Sequence, residues 1–181
     1  MNKKLKLFLS LLVSIAVTLC GCGKPAGKID QSAATRPYDP NDTTIYIVDD
    51  FIPLADSAES AQLRTMAQSA MSLINAKRIN AGLKELKWSI GLEQAALVRA
   101  NEIKSLFSHT RPDGSAYWTA NGNLVYGENL AMNYNTAEEV VAAWVASPGH
   151  NANLMDPNYG TCSIAVYESD GILYWSQEFG Y

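Results

Sequence analysis

Four side chains in this sequence have the types and spacing to do chemistry together: two histidines, a glutamate and a serine. His109 stands in "FSHTRPDGS" and His150 in "SPGHNANLM", and they are the two histidines of the 181-residue chain. Glu128 lies between them in "YGENLA". Two neutral imidazoles and a carboxylate match the ligand set of a catalytic zinc site with an open fourth position. Such sites usually show short spacing on one helix, as in H-E-x-x-H, so the spacing leaves a shared site and unrelated surface histidines both open.

Ser147 precedes His150 by three positions across a Pro-Gly pair, which suggests a nucleophile with its base. The sequence has no G-x-S-x-G elbow, and Glu128 is the one evident group that could orient the imidazole. Serine and histidine often occur at this spacing by chance. We therefore do not favour nucleophilic catalysis.

The N-terminus has the parts of a bacterial lipoprotein signal in the expected order. "MNKKLK" is basic, and the apolar run over residues 7–19 is too short to span a bilayer of about 30 Å. In the following "LCGC", Cys22 has the small Gly21 before it, whereas Cys20 follows Leu19. An ordinary secretory signal cut nearby fits less well. We predict a signal peptide of residues 1–21, lipid on Cys22, and a protein held at the cell membrane on its extracytoplasmic face.

Removal of this signal takes away three lysines and no acid, so the formal net charge goes from −4 to −7. An acidic chain repels phosphate backbones, which excludes nucleic acid as a partner and leaves the lipid as the link to the membrane. Of three cysteines, Cys162 alone then keeps a thiol, so no intramolecular disulfide is expected. It alternates with Ile164 and Val166, which predicts a buried, inert thiol.

The rest of the chain divides into a tether and one folded domain. Residues 22–55 are rich in Pro and Asp, with little apolar periodicity, and predict a flexible tether with a short strand over 44–48. Residues 56–181 predict a domain with three long helices: one that begins at the Asp56 capping box and ends at Gly82, one over about 89–107, and one that Thr136 caps. "TCSIAVYES" and "ILYWSQEFG", joined by Asp-Gly, predict a β-hairpin. The class is α+β in layers.

Five blocks in this domain carry a family resemblance. They are "GLKELKWSIGLEQAALVRANEI", "FSHTRPDGS", "YGENLA", "AAWVASPGHNANLMDPNYG" and "YWSQEFG", in that order over residues 82–180. Together they resemble the CAP superfamily of cysteine-rich secretory proteins, antigen 5 and pathogenesis-related proteins, in its disulfide-free bacterial branch. The resemblance implies an α-β-α sandwich with a small three-stranded antiparallel sheet between helices.

The resemblance also implies that His109, Glu128 and His150 line one central cleft. The family's second glutamate falls at Ser147, so the set of two histidines and two acids is incomplete. The asparagines Asn129, Asn151 and Asn153 are expected to tie "GENL" to "GHNAN" by hydrogen bonds. The aromatic residues are expected to pack in the core: Tyr126, Trp144, Tyr174, Trp175 and Phe179.

Three functions stay open, because functions are grafted onto folds. The first is a non-enzymatic binding module whose cleft holds a small ligand, lipid, peptide or cell-wall component. The second is a hydrolase in which His109, His150 and Glu128 hold zinc and an activated water. The third is an interaction or signalling module that acts through its surface loops. We favour the binding module, because the second acid is missing and a tether suits display or capture.

Overall fold

The computed structural model describes residues 26–30, 33–46 and 58–181. The helices are α1 (Ala58–Asn80), α2 (Ile90–Glu102), a 3₁₀ helix (Tyr117–Asn121), α3 (Ala137–Ala146) and α4 (Pro148–Met155). The strands are β1 (Lys28–Ile29), β2 (Ala34–Thr35), β3 (Lys87–Trp88), β4 (Gly127–Met132), β5 (Thr161–Ser169) and β6 (Ile172–Gly180). In this part of the chain, no helix combines the length and apolarity needed to cross a membrane. The predicted signal peptide, Cys22 and the Asp56 cap lie outside the described residues.

Three antiparallel strands form the centre of the sheet in the order β4-β6-β5, as the sequence predicts. The β5–β6 hairpin turns at Asp170 and Gly171, which both have positive φ (53° and 74°), the backbone that an Asp-Gly hairpin turn requires. The short strand β3 adds to β5 in parallel, and β1 and β2 both pair with the other edge at β4. The register places Glu128 directly opposite Glu178.

Helices cover both faces of the sheet, which confirms the predicted α-β-α sandwich. On one face α1, α3 and α4 pack with Trp144 and Trp175 in the main hydrophobic core. On the other face α2 packs through Ala96, Ala100 and Ile103 against strand residues of that face. This second face also carries the side chains of Glu128 and Glu178, because strand residues alternate between faces. The domain thus buries two acids between sheet and helix.

The helix ends agree with the sequence except at the end of α2. Ser89 caps α2 and Thr136 caps α3, each accepting a backbone N–H of the first turn. The predicted second helix continues to residue 107, but α2 ends at Glu102. Both the backbone N–H and the hydroxyl of Ser105 donate to the Glu102 carbonyl, at 3.0 and 2.8 Å. This local bonding competes with the helical pattern and closes a turn instead.

The N-terminal segment differs from the predicted tether in its described part. Residues 28–29 and 34–35 are paired strands rather than flexible chain. The physical reason is the free edge of β4, whose N–H and C=O groups need partners. The strand predicted over 44–48 is absent from its described residues 44–46. There the Asn123 side chain bonds both the N–H and the carbonyl of Tyr46, at 3.2 and 2.9 Å, in place of a neighbouring strand.

Candidate functional site

The four predicted site residues form two hydrogen-bonded pairs that β4 joins. His109 Nδ1 lies 2.6 Å from Glu128 Oε1, and His150 Nδ1 lies 2.8 Å from Ser147 Oγ. The pairs are linked because Asn129, the neighbour of Glu128, donates its side-chain amide to the His150 carbonyl at 3.3 Å. The loop after α2, strand β4 and the start of α4 therefore bring His109 near enough to His150 for its charge to contribute to lowering the His150 pKa.

Glu128 is a buried carboxylate whose two oxygens are both occupied. Arg99 Nε donates to Oε2 at 2.7 Å, and Oε1 receives the His109 contact and a longer one from Arg99 Nη2 at 3.3 Å. Burial alone would raise the pKa of Glu128, but the His109 hydrogen bond and the Arg99 charge outweigh it and hold that pKa below its ordinary value. Glu128 is therefore ionised, and it fixes the orientation of the His109 ring.

Arg99 also builds the loop that carries His109. Its Nη2 donates to the Ser108 carbonyl at 2.6 Å, one residue before the histidine. Its Nη1 meets Glu102 at 2.5 Å, and Glu102 in turn binds Arg111 at 2.7 Å. Although burial works against its charge, Glu128 and Glu102 raise the pKa of Arg99 above its ordinary value. This alternating series of charges holds the "FSHTRP" loop against α2.

Glu178 is a second buried acid, opposite Glu128 on β6. Ser176 donates its hydroxyl to Glu178 Oε1 at 2.8 Å. Burial and the adjacent negative charge of Glu128 raise the pKa of Glu178 well above its ordinary value. Two facing carboxyls cannot both ionise in this setting, so Glu178 is the neutral acid and Glu128 the carboxylate.

His150 is fully buried and neutral. Burial is the main cause that lowers its pKa to about 4, the neighbouring His109 adds to the effect, and Asp30 opposes it. Its Nδ1 bonds Ser147, but its Nε2 is buried and has no hydrogen-bond partner within residues 26–30, 33–46 and 58–181. An orphaned buried ring nitrogen is costly, so it is the atom at which a ligand group gains most.

A chain of buried amides supports this site from the opposite face of the sheet. Asn153 donates to Asn129 at 3.1 Å, Asn129 donates to Gln177 at 3.0 Å, and Gln177 donates to the Cys162 sulfur at 3.3 Å. Asn153 also donates to the Glu128 carbonyl at 3.3 Å. Asn129 and Asn153 form the expected hydrogen bonds between "GENL" and "GHNAN". The described bond of Asn151 is instead local, from its backbone N–H to the Ser147 carbonyl.

Cys162 and the aromatic residues take the structural places expected of them. The Cys162 thiol is buried, and burial raises its pKa to about 12, so it stays protonated and inert. Trp144, Trp175 and Phe179 are buried in the main core. Tyr174 is buried on the α2 side and Tyr126 packs at the edge of the main core.

The donor set does not fit the zinc site that two histidines and a glutamate suggest. Glu128 contacts the Nδ1 of His109 and so acts as an outer group that orients an imidazole, rather than as a metal ligand. Within residues 26–30, 33–46 and 58–181, no three His, Cys, Asp or Glu side chains are arranged to hold a metal ion. Two imidazoles remain, one fewer than the three protein ligands of a catalytic zinc centre.

Three residues of the site carry no sequence motif. Arg99 lies on the apolar stripe of α2, three residues after Ala96 and four before Ile103, and a charge on a buried stripe could have indicated it. Glu178 is found through strand register, which the sequence does not give. Asp30 reaches the site because β1 and β2 return the N-terminal segment to β4.

Comparison with known proteins matches residues 71–179 to the CAP, cysteine-rich secretory protein family. The uncharacterized protein YkwD of Bacillus subtilis (strain 168) is 33% identical over 144 residues, which cover 68% of this chain and 53% of YkwD. The uncharacterized membrane protein YlbC of the same organism is 27% identical over 122 residues, which cover 64% of this chain and 34% of YlbC. The chain thus spans about half the length of YkwD and about a third of YlbC.

Three solved bacterial structures share the fold. An extracellular SCP-domain protein of Bacillus anthracis has a TM-score of 0.61 at 20% identity, covering 70% of this chain and 44% of its own. An outer surface protein of Borrelia burgdorferi has a TM-score of 0.54 at 23% identity, covering 65% and 92%. A cysteine-rich secretory protein of Staphylococcus aureus has a TM-score of 0.54 at 20% identity, covering 66% and 40%. At these identities the likeness shows the fold alone.

Proposed function

Since this chain belongs to the CAP, cysteine-rich secretory protein family, we propose that it is a lipid-anchored extracytoplasmic module that binds a ligand in the cleft of His109 and His150 without transforming it. The anchor is the acylated Cys22 and the ligand is held by the two imidazoles. Each part of this proposal has its own support and its own test.

The observation that carries the binding proposal is the buried Nε2 of His150, which has no hydrogen-bond partner among the residues that the structure describes. The surrounding groups already hold the ring in place, because Ser147 binds Nδ1 and Asn129 binds the backbone carbonyl. A ligand group that reaches Nε2 would form its hydrogen bond without ordering the ring first, and such pre-organisation favours affinity.

Hydrolysis has weaker support from the same geometry. A serine nucleophile would need a base, and a histidine with a pKa of about 4 is a poor proton acceptor near neutral pH. The Glu128 carboxylate that could have completed a zinc site is bonded to Arg99 and His109. Among the described residues, the serine-nucleophile route therefore lacks an effective base, and the zinc route lacks a third ligand.

The anchor is supported by the signal-like N-terminus and by the names of similar proteins. Those proteins include an extracellular protein, an outer surface protein and a membrane protein. Mass spectrometry of the intact protein from membranes should show acyl chains on Cys22. A Cys22→Ala variant should leave the membrane fraction, and Cys20→Ala, its matched control two residues away, should stay. Retention of the Cys22→Ala protein at the membrane would overturn the anchor.

The cleft is tested by nitrogen NMR of the full chain labelled with ¹⁵N-histidine. The probes are a muramyl dipeptide, phosphatidylglycerol vesicles and a mixture of short acetylated peptides. One probe should shift the His150 Nε2 signal and lose its binding in His150→Gln, while Lys84→Ala, a distant surface variant, binds normally. If no probe shifts the signal, or if binding survives in both His150→Gln and His109→Gln, the cleft is not the binding site.

Zinc calorimetry separates binding from the hydrolase alternative. Wild-type protein should show no tight stoichiometric zinc binding, because no three metal-ligating side chains are grouped together in the described residues. Tight binding that both His109→Ala and His150→Ala abolish would favour a metal centre and contradict the proposal.

A further inference from the structure

The N-terminal segment crosses the edge of the sheet beside the cleft. We call the described residues 28–30 and 33–36 the strap. Its strand β1 pairs with β4 at Met132 and Ala131, and its strand β2 pairs with β4 at Glu128 and Gly127. The strap thus runs antiparallel to β4 along the stretch that carries Glu128 and Asn129.

The strap also contacts α4, which carries His150. The Ala34 carbonyl accepts the side-chain amide of Asn153 at 3.3 Å. The backbone packing is tight, because a Cβ added at Gly149 would lie 3.3 Å from the Ala33 nitrogen. Asp30 lies close enough to His150 for its negative charge to oppose the lowering of the histidine's pKa. The strap therefore contacts α4 at Gly149 and Asn153, on either side of His150 in sequence, and brings the charge of Asp30 near that histidine.

Arg36 fastens the far end of the strap in a pocket of aromatic rings. Its guanidinium lies 4.5 Å from the ring centre of Trp118, 5.0 Å from that of Tyr126 and 5.2 Å from that of Tyr46. It donates to the Gly122 carbonyl at 2.8 Å, and its backbone N–H donates to the Tyr126 carbonyl at 2.6 Å. Three rings around one cation form a specific cation–π site.

We infer that the β4 edge and the site of His109 and His150 form one groove for an extended peptide that carries an aspartate and, six positions later, an arginine, and that the strap is a built-in occupant which such a peptide displaces. Backbone pairing with an edge strand is a general mode of peptide recognition. Here the edge is already occupied by chain that offers an acid at the histidines and an arginine in the aromatic pocket. This inference rests on the proposed function, because it names the ligand class of the same cleft.

The strap competes from within the same molecule, so its effective concentration is on the order of millimolar. A free peptide of equal intrinsic affinity must overcome that competition. Loosening the strap should therefore strengthen peptide binding, and locking the strap should abolish it. A purely structural N-terminal segment would produce neither effect.

The probe is a fluorescent peptide with the strap's own sequence, AGKIDQSAATRP, added to the full chain in detergent. Lys28→Cys with Met132→Cys places two thiols on cross-strand partners, whose Cα separation of about 4.5–5.5 Å suits a disulfide. The oxidised variant should not bind the peptide, and reduction should restore binding. Equal binding by the oxidised and reduced forms would overturn the inference.

Arg36→Ala tests the strap without a cross-link. It should bind the peptide about tenfold more tightly than wild type, because the strap loses its aromatic anchor. Lys104→Ala is the matched control, since Lys104 lies 5.0 Å over the Tyr167 ring outside the strap, and it should bind as wild type does. A folded Arg36→Ala protein that binds no more tightly than the control contradicts the inference.

The acid and the histidine separate this inference from the proposed function. A peptide carrying asparagine in place of its aspartate should bind at least tenfold more weakly to Arg36→Ala. Peptide binding that requires reduction of the disulfide would support the groove. If His150→Gln in the Arg36→Ala background does not weaken that binding, the role proposed for His150 in the cleft is contradicted. If the cleft binds a muramyl or lipid probe equally in locked and open forms, the cleft stands and the strap inference fails.

Discussion

Arg99→Ala should destabilise the domain more than other single substitutions at the site. Arg99 and Glu128 are both fully buried, and Arg99 Nε lies 2.7 Å from the carboxylate. Removal of the cation leaves a buried carboxylate without its main counter-charge, which costs about 3–5 kcal/mol of unfolding free energy. Arg99 also loses its bonds to Ser108 and Glu102, so the His109 loop should loosen as well.

Urea unfolding followed by tryptophan fluorescence measures this loss. With a urea slope of about 2 kcal/mol per molar, the midpoint should fall by about 2 M. Arg111→Ala is the matched control, because Arg111 binds the same Glu102 but is not paired with Glu128 in the described contacts. We expect that control to lose less stability than Arg99→Ala, because Glu102 keeps Arg99 as a counter-charge and no fully buried carboxylate is left unpaired.

The pH dependence shows whether the buried charge is the cause. In wild type the pKa of Glu128 is lowered, so its contribution to stability is present above the unfolded value near 4.3 and is lost as the pH falls through the folded value. Without Arg99, burial should instead raise the Glu128 pKa, so the variant should suffer most near neutral pH and less in acid. A loss of stability below about 1 kcal/mol, or a loss of equal size at about pH 4 and pH 8, would refute the assignment of Arg99 as the counter-charge.

Three further outcomes follow from the buried polar groups. Glu178→Gln should be more stable than wild type at about pH 8 but not at about pH 4. The reason is that the raised pKa of Glu178 costs stability only above the pKa of the unfolded state, near 4.3. An equal difference in unfolding free energy at the two pH values, measured by urea unfolding, would contradict this. Cys162 should resist iodoacetamide in the folded protein and react in urea, since burial raises its pKa to about 12, and labelling of native protein in peptide mapping would count against it. Asn129→Leu should cost about 2 kcal/mol in urea unfolding, because Gln177 and Asn153 lose their partner, whereas a cost below about 0.5 kcal/mol would show that the amides rearrange.

The parts of the fold that the sequence predicts well are those that short-range chemistry determines. The Thr136 cap, the Asp-Gly turn and the apolar helix stripes all act within a few residues, and the structure has them where the pattern puts them. The strands at residues 28–29 and 34–35 depend instead on an edge of β4 about a hundred positions away. They lie in a segment whose Pro and Asp residues are typical of flexible chain, so the free edge decides the outcome.

The candidate site shows the same division between local and distant causes. Proximity in sequence suggests the Ser147–His150 contact, and the structure has it at 2.8 Å. The role of Glu128 depends on Arg99 and Glu178, which reach it through helix packing and strand register. By residue type alone, Glu128 could be a metal ligand. Its contacts with Arg99 and His109 instead make it the group that orients the His109 ring.

The strap and the proposed anchor lie on the same stretch of chain, and this gives ligand binding a mechanical consequence. With the strap paired to β4, Lys28 follows Cys22 by six positions, so the domain lies within about 20 Å of the anchor at full extension. If a peptide displaces the strap as far as Arg36, the next described contacts with the domain are those of the Tyr38 ring with the rings of Tyr126 and Tyr181. The 16 positions from Cys22 to Tyr38 then span up to about 55 Å. Occupation of the cleft would therefore release the domain from the membrane surface without cutting its tether.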